Sequence, residues 1–354
     1  MTGDLSPHKE PRAEPREEHW LRLHLNENPF PPLPEVATAL AAELTAVNRY
    51  PEFTPDTLTG MIADWLGTGR EHVAVGSGSV GIARQLIDLC TEPGDEVVYG
   101  WRSFDAYPLI TRMAGAVPVE VPLTATGEQD LPGMLAALTE RTRVVVLCNP
   151  HNPTGTLVGR AELEDFLAAL PRRITLVLDE AYHEFARDPR TPDGLRLLTD
   201  HPNVVVLRTF SKAYGLAALR VGYCVAAPGQ AGRLRAASLP FGISPLAQVA
   251  VAASLRAGKQ LAERVDAVVA ERERLRSGLV RLGFTGPASH GNFLWLDAGP
   301  RTEALAAALA AAGVLVRFYP GEGMRLTVGS READDLVLST AGALAPAVPA
   351  GLTP

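Results

Sequence analysis

The residue with most chemistry to offer is a lysine in the run TFSKAYGLAALRVG, residues 209–222. Lys212 sits between two apolar stretches, NVVVLRTF before it and RVGYCVAA after it. Both are rich in the β-branched residues that fill buried parallel strands. Taking an ammonium out of water is costly, so a lysine held at such a place needs a partner or a chemical task. Burial lowers its pKa and makes it an amine able to form a Schiff base. Ser211 beside it and Arg220 further on bring a hydroxyl and a fixed positive charge, which together suit a phosphate. A loop lysine with its head in water fits the same local pattern. What else the chain places nearby decides between the two.

Three other stretches carry candidates. GSGSVG, residues 76–81, matches GxGxxG between a strand and a helix, the pattern of a dinucleotide site. A dinucleotide unit also needs an acidic residue at the far end of its second strand. Here Asp95 and Glu96 stand at that strand's start, and its far end reads YGWRSF. Gly78 and Ser79 still offer backbone N–H groups at a helix N-terminus, so a single phosphate fits better. NPHNPTG, residues 149–155, follows the strand VVVLC and presents Asn152, whose amide can donate to an oxygen anion. An ordinary Pro-Gly loop reads the same way. LVLDEAYHEF, residues 176–185, puts Asp179 directly after a buried strand, where a carboxylate needs a cation or a donor. Tyr182 adds a phenol on the same side of the turn. A helix-capping aspartate is the plainer alternative.

The elements around these residues alternate. Short β-branched runs near 97–99, 117–121, 144–148, 175–178 and 204–207 read as strands. Helical patterns fall at 34 onward, 57–66, 106–113, 131–138 and 160–170. Such alternation predicts a mostly parallel sheet covered by helices on both faces. Beyond residue 244 the pattern changes to a long helical region, 245–282, then strand, helix, two strands and a last helix. That order predicts a smaller α+β domain built from N- and C-terminal segments. The expected boundaries are a flexible tail over 1–18, a segment over 19–48 packed on the small domain, a large domain over 49–244, a small domain over 245–345, and a second tail over 346–354. In a parallel sheet the strand ends share one crevice. Gly78–Ser79, Asn152, Asp179 and Lys212 all follow strands. One rim would therefore hold a phosphate cradle, an amide, a carboxylate and an amine, which is the equipment pyridoxal 5′-phosphate (PLP) needs.

Taken together, NENPF, RYP, CNPHNPTG, DEAY, TFSKAYGLAALRVG and RLTVG resemble the fold-type I aminotransferases of the histidinol-phosphate aminotransferase group, over about residues 23–343. VAVGSGSVGI and GWRSFDAYP are more similar to the aromatic amino acid (phenylalanine-type) branch of that group. The resemblance implies a PLP-dependent aminotransferase that moves an amino group from an aromatic amino acid to a 2-oxo acid such as 2-oxoglutarate, in a ping-pong cycle. Lys212, Asp179 and Tyr182 would be catalytic. Lys212 would form the Schiff base, Asp179 would pair with the ring nitrogen, and Asn152 and Tyr182 would contact the ring oxygen. Gly78, Ser79, Thr209, Ser211 and Arg220 would hold the phosphate, and Phe104 would stack on the ring. Tyr50 would reach the phosphate from the partner subunit, which implies a homodimer with a shared active site. Arg325 would clamp a substrate carboxylate, with Arg317 supporting recognition and Asn152 assisting. Val80, Gly81 and Phe104 depart from the residues common in histidinol-phosphate enzymes, and His151 replaces an asparagine. A histidinol-phosphate aminotransferase is the alternative within the group.

Composition limits the other classes. At 354 residues and 46% hydrophobic, the chain can bury a large core. A net charge of −7 with both signs scattered argues against nucleic acid as a partner, and no apolar run is long enough to cross a membrane. Three separated cysteines, Cys90, Cys148 and Cys224, fit a reduced, cytoplasmic protein without a metal site. The charged, Pro-rich start lacks the apolar core of a secretory signal. Two enzyme classes stay as rivals. A PLP lyase or decarboxylase would share the cofactor residues but make no glutamate from 2-oxoglutarate. A nicotinamide-dependent dehydrogenase would use GSGSVG for NAD.

Overall fold

The computed structural model describes residues 20–344, and the tails expected over 1–18 and 346–354 lie outside the described residues. Its strands are β1 (Leu21–Leu23), β2 (Val73–Gly76), β3 (Glu96–Trp101), β4 (Val117–Pro122), β5 (Thr142–Cys148), β6 (Thr175–Asp179), β7 (Val204–Thr209), β8 (Gly222–Ala226), β9 (Phe293–Asp297), β10 (Val314–Tyr319) and β11 (Gly323–Thr327). Between them run α1 (Pro34–Glu43), α2 (Asp56–Leu66), α3 (Gly78–Cys90), α4 (Ala106–Met113), α5 (Leu131–Ala136), α6 (Arg160–Ala169), α7 (Gly194–Leu197), α8 (Pro228–Ala236), α9 (Pro245–Arg256), α10 (Gly258–Arg281), α11 (Pro300–Ala311) and α12 (Arg331–Ala343).

Seven strands form one sheet in the order β2-β8-β7-β6-β5-β3-β4, and four form a second in the order β1-β10-β11-β9. The large sheet is α/β and mostly parallel, and its central strands have no face left for water. Val145, Leu147, Leu176, Leu178, Val204 and Val206 fill one face. Their immediate neighbours Val144, Val146, Val177, Val205 and Leu207 fill the other. Successive side chains point to opposite faces, so a run such as VVVL needs helices on both sides. Each such valine or leucine contributes roughly 1.5–3 kcal/mol when buried. The second sheet and the helices α11 and α12 enclose a separate cluster around Leu305, Leu309, Met324, Leu326 and Val337. A further cluster joins Val36 of α1, Ile62 of α2, Val251 of α9, Val268 of α10 and Tyr223 of β8.

Two sequence expectations change. The strand after Lys212 is not parallel: β8 runs antiparallel to β7, with Thr209 opposite Gly222. A parallel return needs a crossover of a dozen or more residues, usually a helix. Residues 210–221 form only turns and a short 3-10 segment, so the chain doubles back. The helical region 245–282 is two helices that meet at Ala257 and Gly258, where the first ends and the second begins. Among the described residues no helix is long and apolar enough to cross a membrane, and no group of three metal ligands gathers.

Candidate active site

The loops that leave β5, β6 and β7, together with the start of α3, open onto one cavity of about 160 Å³. Ser79, Phe104, Asn152, Asp179, Tyr182, Thr209, Ser211, Lys212 and Arg220 line it, joined by Val80, Cys148 and Ala181. Residues from widely separated stretches meet because their strands are neighbours: β5 pairs with β6, and β6 with β7, all in parallel register.

One end of the cavity is built for an anion. Helix α3 starts at Gly78, with a φ of 73°, in the left-handed region that favours glycine. A Cβ at that position would stand 2.5 Å from Arg220 Nη2, so the guanidinium lies directly over the first turn of the helix. Arg220 Nη1 donates to Ser211 Oγ at 3.4 Å and to the carbonyl of Ala217 at 2.8 Å. The Thr209 and Ser211 hydroxyls are 3.0 Å apart. A helix N-terminus, two hydroxyls and an arginine are the donor set a phosphate monoester requires.

At the other end lies Asp179, fully buried. Its Oδ1 accepts the Ala181 N–H at 3.1 Å and its Oδ2 accepts the Tyr107 hydroxyl at 2.5 Å. Burial pushes its carboxyl up, while those two bonds work the other way. Tyr182 Oη accepts the Asn26 amide at 3.0 Å. Asn152 Oδ1 accepts from Arg325 Nη1 at 2.5 Å, which leaves its amide nitrogen as the donating end.

Lys212 Nζ donates to the carbonyls of Leu25 and Asn26, at 3.0 and 3.1 Å. Its pKa falls to about 7, first through burial and then through the Arg325 charge, with Glu27 opposing. Arg325, 7% exposed, bridges Asn152 and the carbonyl of His24, the latter at 2.5 Å from Nη2. Its Nε is buried without a partner among the described residues.

Other expected residues stand apart from this cavity. Arg317 lies opposite Arg325 in the β10–β11 pairing and forms an ion pair with Asp105 at 2.7 Å. Tyr50 is 83% exposed and rests on Phe241, with ring centroids 4.9 Å apart, outside its own chain's cavity. His151 is buried with its pKa lowered to about 3 by desolvation, so it stays neutral, held by Thr154 at 2.9 Å. His183 is half-buried and does not line the cavity. GSGSVG loses its second dinucleotide feature as well. The strand after α3 is β3, and β8, β7, β6 and β5 lie between it and β2. A dinucleotide unit would place the two side by side.

Sequence reasoning assigned no role to Tyr107, Asn26 or His24. Tyr107 stands three residues after Phe104 in GWRSFDAYP, and Asn26 opens NENPF, but neither motif shows which way a side chain turns.

The aminotransferase class I and II family model matches residues 18–339. The aromatic amino acid aminotransferase of Streptomyces avermitilis is 51% identical over 317 residues, covering 90% of this chain and 88% of its own length. That of Thermobifida fusca is 49% identical over 320 residues, covering 90% and 89%. Among solved structures, the histidinol-phosphate aminotransferase of Sinorhizobium meliloti in complex with pyridoxal-5′-phosphate superposes with a TM-score of 0.86 at 29% identity, covering 92% of each chain. N-succinyldiaminopimelate aminotransferase of Mycobacterium tuberculosis gives a TM-score of 0.81 at 25% identity, covering 92% and 94%.

Proposed function

Because the chain belongs to the class I and II aminotransferase family, we propose that it uses pyridoxal 5′-phosphate to exchange an amino group between an aromatic amino acid and a 2-oxo acid, 2-oxoglutarate first among them. One observation carries the cofactor reading. Lys212, Asp179 and an anion cradle around Arg220 open onto a single cavity. The aromatic donor rests on the half-identical relatives. The residues fit the group: the glycine at 78, at the N-terminus of α3, leaves the room that a Cβ would take from Arg220.

When bound, PLP supplies an electrophilic aldehyde carbon and a ring able to take up the electrons released at the substrate's Cα. The N–H groups of Gly78 and Ser79, the hydroxyls of Thr209 and Ser211 and the guanidinium of Arg220 would hold the phosphate. Phe104 would cover a ring face. Asn152 Nδ2 and Tyr182 Oη would hold the ring oxygen, and Asp179 would hold a proton on the ring nitrogen. Lys212 Nζ would anchor the cofactor and would carry the Cα proton as a general base. Arg325 would take the substrate α-carboxylate in its planar fork, with Arg317 supporting recognition from outside the cavity. The same reading includes a large unit over 49–244 and a small unit over 245–345, on which the segment 19–48 packs. It also includes cytoplasmic residence and a homodimer in which Tyr50 serves the partner's phosphate site.

A donor panel tests the substrate. With 2-oxoglutarate as acceptor, phenylalanine and tyrosine should give kcat/KM at least about tenfold above histidinol phosphate, a difference of about 1.4 kcal/mol in transition-state binding. A preference for histidinol phosphate, which the Sinorhizobium structure keeps as the second reading, would reverse the assignment. Release of product without glutamate would point to a lyase or decarboxylase.

A second expectation concerns pH. An amine titrating at about 7 is mostly protonated below that value and mostly free above it. Only the free amine attacks an aldehyde. The initial rate at which cofactor-free protein takes up PLP should therefore rise about tenfold between pH 6 and pH 8, levelling above. Stopped-flow absorbance would show it. A rate still climbing steeply at pH 9 to 10 would mean that Lys212 keeps an ordinary lysine pKa.

A further inference from the structure

Helix α4 carries a tyrosine that the family motifs leave without a task. Tyr107 is 2% exposed, and its hydroxyl points at the carboxylate of Asp179, donating to Oδ2 at 2.5 Å. Its ring has nowhere else to go. Phe104 meets it edge-on at 5.6 Å and 85°, and Tyr99 lies against it at 5.9 Å. Tyr99 sends its own hydroxyl the other way, toward Glu120 at 3.4 Å. The same phenol therefore touches the cavity wall on one side and the buried acid on the other.

Asp179 needs such a donor. The groups that face it are Tyr107 from α4, the Cys148 thiol from the end of β5, Glu180 next along the chain, the Tyr182 phenol, and Lys212. Burial and the Glu180 charge both favour a neutral carboxyl. Glu180 is itself answered by Arg208 at 2.8 Å, which limits but does not remove that push. On the opposing side, Tyr107 is the leading contributor, ahead of the Ala181 N–H and Lys212. A donor aimed at a buried carboxylate stabilises its charged form and also fixes its rotation.

We propose that Tyr107 is a positioning residue for the cofactor ring: its hydrogen bond orients Asp179 and keeps it an anion, so that the proton shared with the ring nitrogen stays on nitrogen. The inference rests on the PLP reading above and deepens it. Without Tyr107, Asp179 keeps one protein donor, holds a proton more tightly, and draws it away from the ring. A ring that loses that charge accepts electrons from Cα less readily, while substrate contacts at Arg325 are untouched.

The full-length chain loaded with PLP carrying ¹⁵N in the ring gives a readout separate from activity. In the wild type the ¹⁵N resonance should lie at the protonated position. Tyr107→Phe should move it toward neutral pyridine and lower kcat about tenfold to a hundredfold, the effect of one lost hydrogen bond to a charged group, with KM little changed. Tyr99→Phe removes a neighbouring buried hydroxyl that does not touch Asp179, and should leave the resonance where it was. Should Tyr107→Phe fail to fold, 3-fluorotyrosine at position 107 keeps the bond and strengthens the donor, so the resonance should hold at or beyond the protonated position. A resonance unmoved in Tyr107→Phe, moved equally in Tyr99→Phe, or moved toward neutral pyridine by the fluorinated residue would overturn the proposal. A wild-type chain that takes up no labelled PLP would overturn the cofactor reading, and this inference with it.

Discussion

Replacing Lys212 with alanine should remove the Schiff-base absorption band of the PLP-loaded protein, leaving at most that of unlinked PLP, and cut turnover by at least roughly 10²–10⁴, the range that one positioned general base contributes. The loss should exceed that range because the same amine also anchors the cofactor. The chain holds only three lysines, Lys9, Lys212 and Lys259. Lys259 is exposed at the start of α10, so among the described residues no second amine stands ready to substitute. Phosphate contacts at Ser211 and Arg220 would survive, and the variant should still bind PLP, more weakly and reversibly. Lys259→Ala supplies the control, with colour and turnover unchanged. Retention of a tenth or more of wild-type turnover in Lys212→Ala would remove this residue from the chemistry. Absorbance from 300 to 500 nm and a coupled glutamate assay measure both effects on one sample.

The part of the site legible in the sequence is the part that sits at strand ends. Asn152, Asp179 and Lys212 each follow a β-branched run, and parallel neighbours carry such ends to one rim whatever the loops do. The donor-rich end at the start of α3 was legible for a similar reason, since a glycine turn before a helix is a local feature. Three things escaped. The direction of β8 depends on the lack of a crossover in residues 210–221, and a run of β-branched residues looks alike in either direction. The break between α9 and α10 falls at Ala257 and Gly258, inside a stretch whose helical pattern continues on both sides. The closing of the site by residues 24–26 was hidden most completely. Asn26 reaches Tyr182, and the carbonyls of His24 and Leu25 reach Arg325 and Lys212, across 156 to 301 residues of sequence. Such contacts have no local signature. They arise because β1 joins the small sheet beside β10, which carries the following residues to Tyr182, Lys212 and Arg325.

Arg325 is where that closing segment, Asn152 in the loop after β5 and the charge of Lys212 come together, so its loss should be the second large effect. Every amino acid and every 2-oxo acid in the cycle carries an α-carboxylate. Removing its partner should therefore raise KM for donor and acceptor alike, and not for the aromatic substrate alone. Truncating one member of a buried, hydrogen-bonded charge pair costs about 2–5 kcal/mol, so kcat/KM should fall about 30- to 5,000-fold in Arg325→Gln. Arg325→Lys keeps the charge but loses the planar fork, and should fall between the two. A second consequence separates binding from mere damage to the fold. The Arg325 charge is one of the causes that lower the Lys212 pKa, second only to burial. Removing it should move that pKa upward. The pH at which PLP uptake reaches half its limiting rate should then climb above about 7 in Arg325→Gln, while Arg325→Lys, with its cation retained, should stay near the wild type. A rise in KM for only one of the two substrates would place the α-carboxylate elsewhere. An uptake profile that does not move in Arg325→Gln would show that this guanidinium and the Lys212 amine do not sense one another.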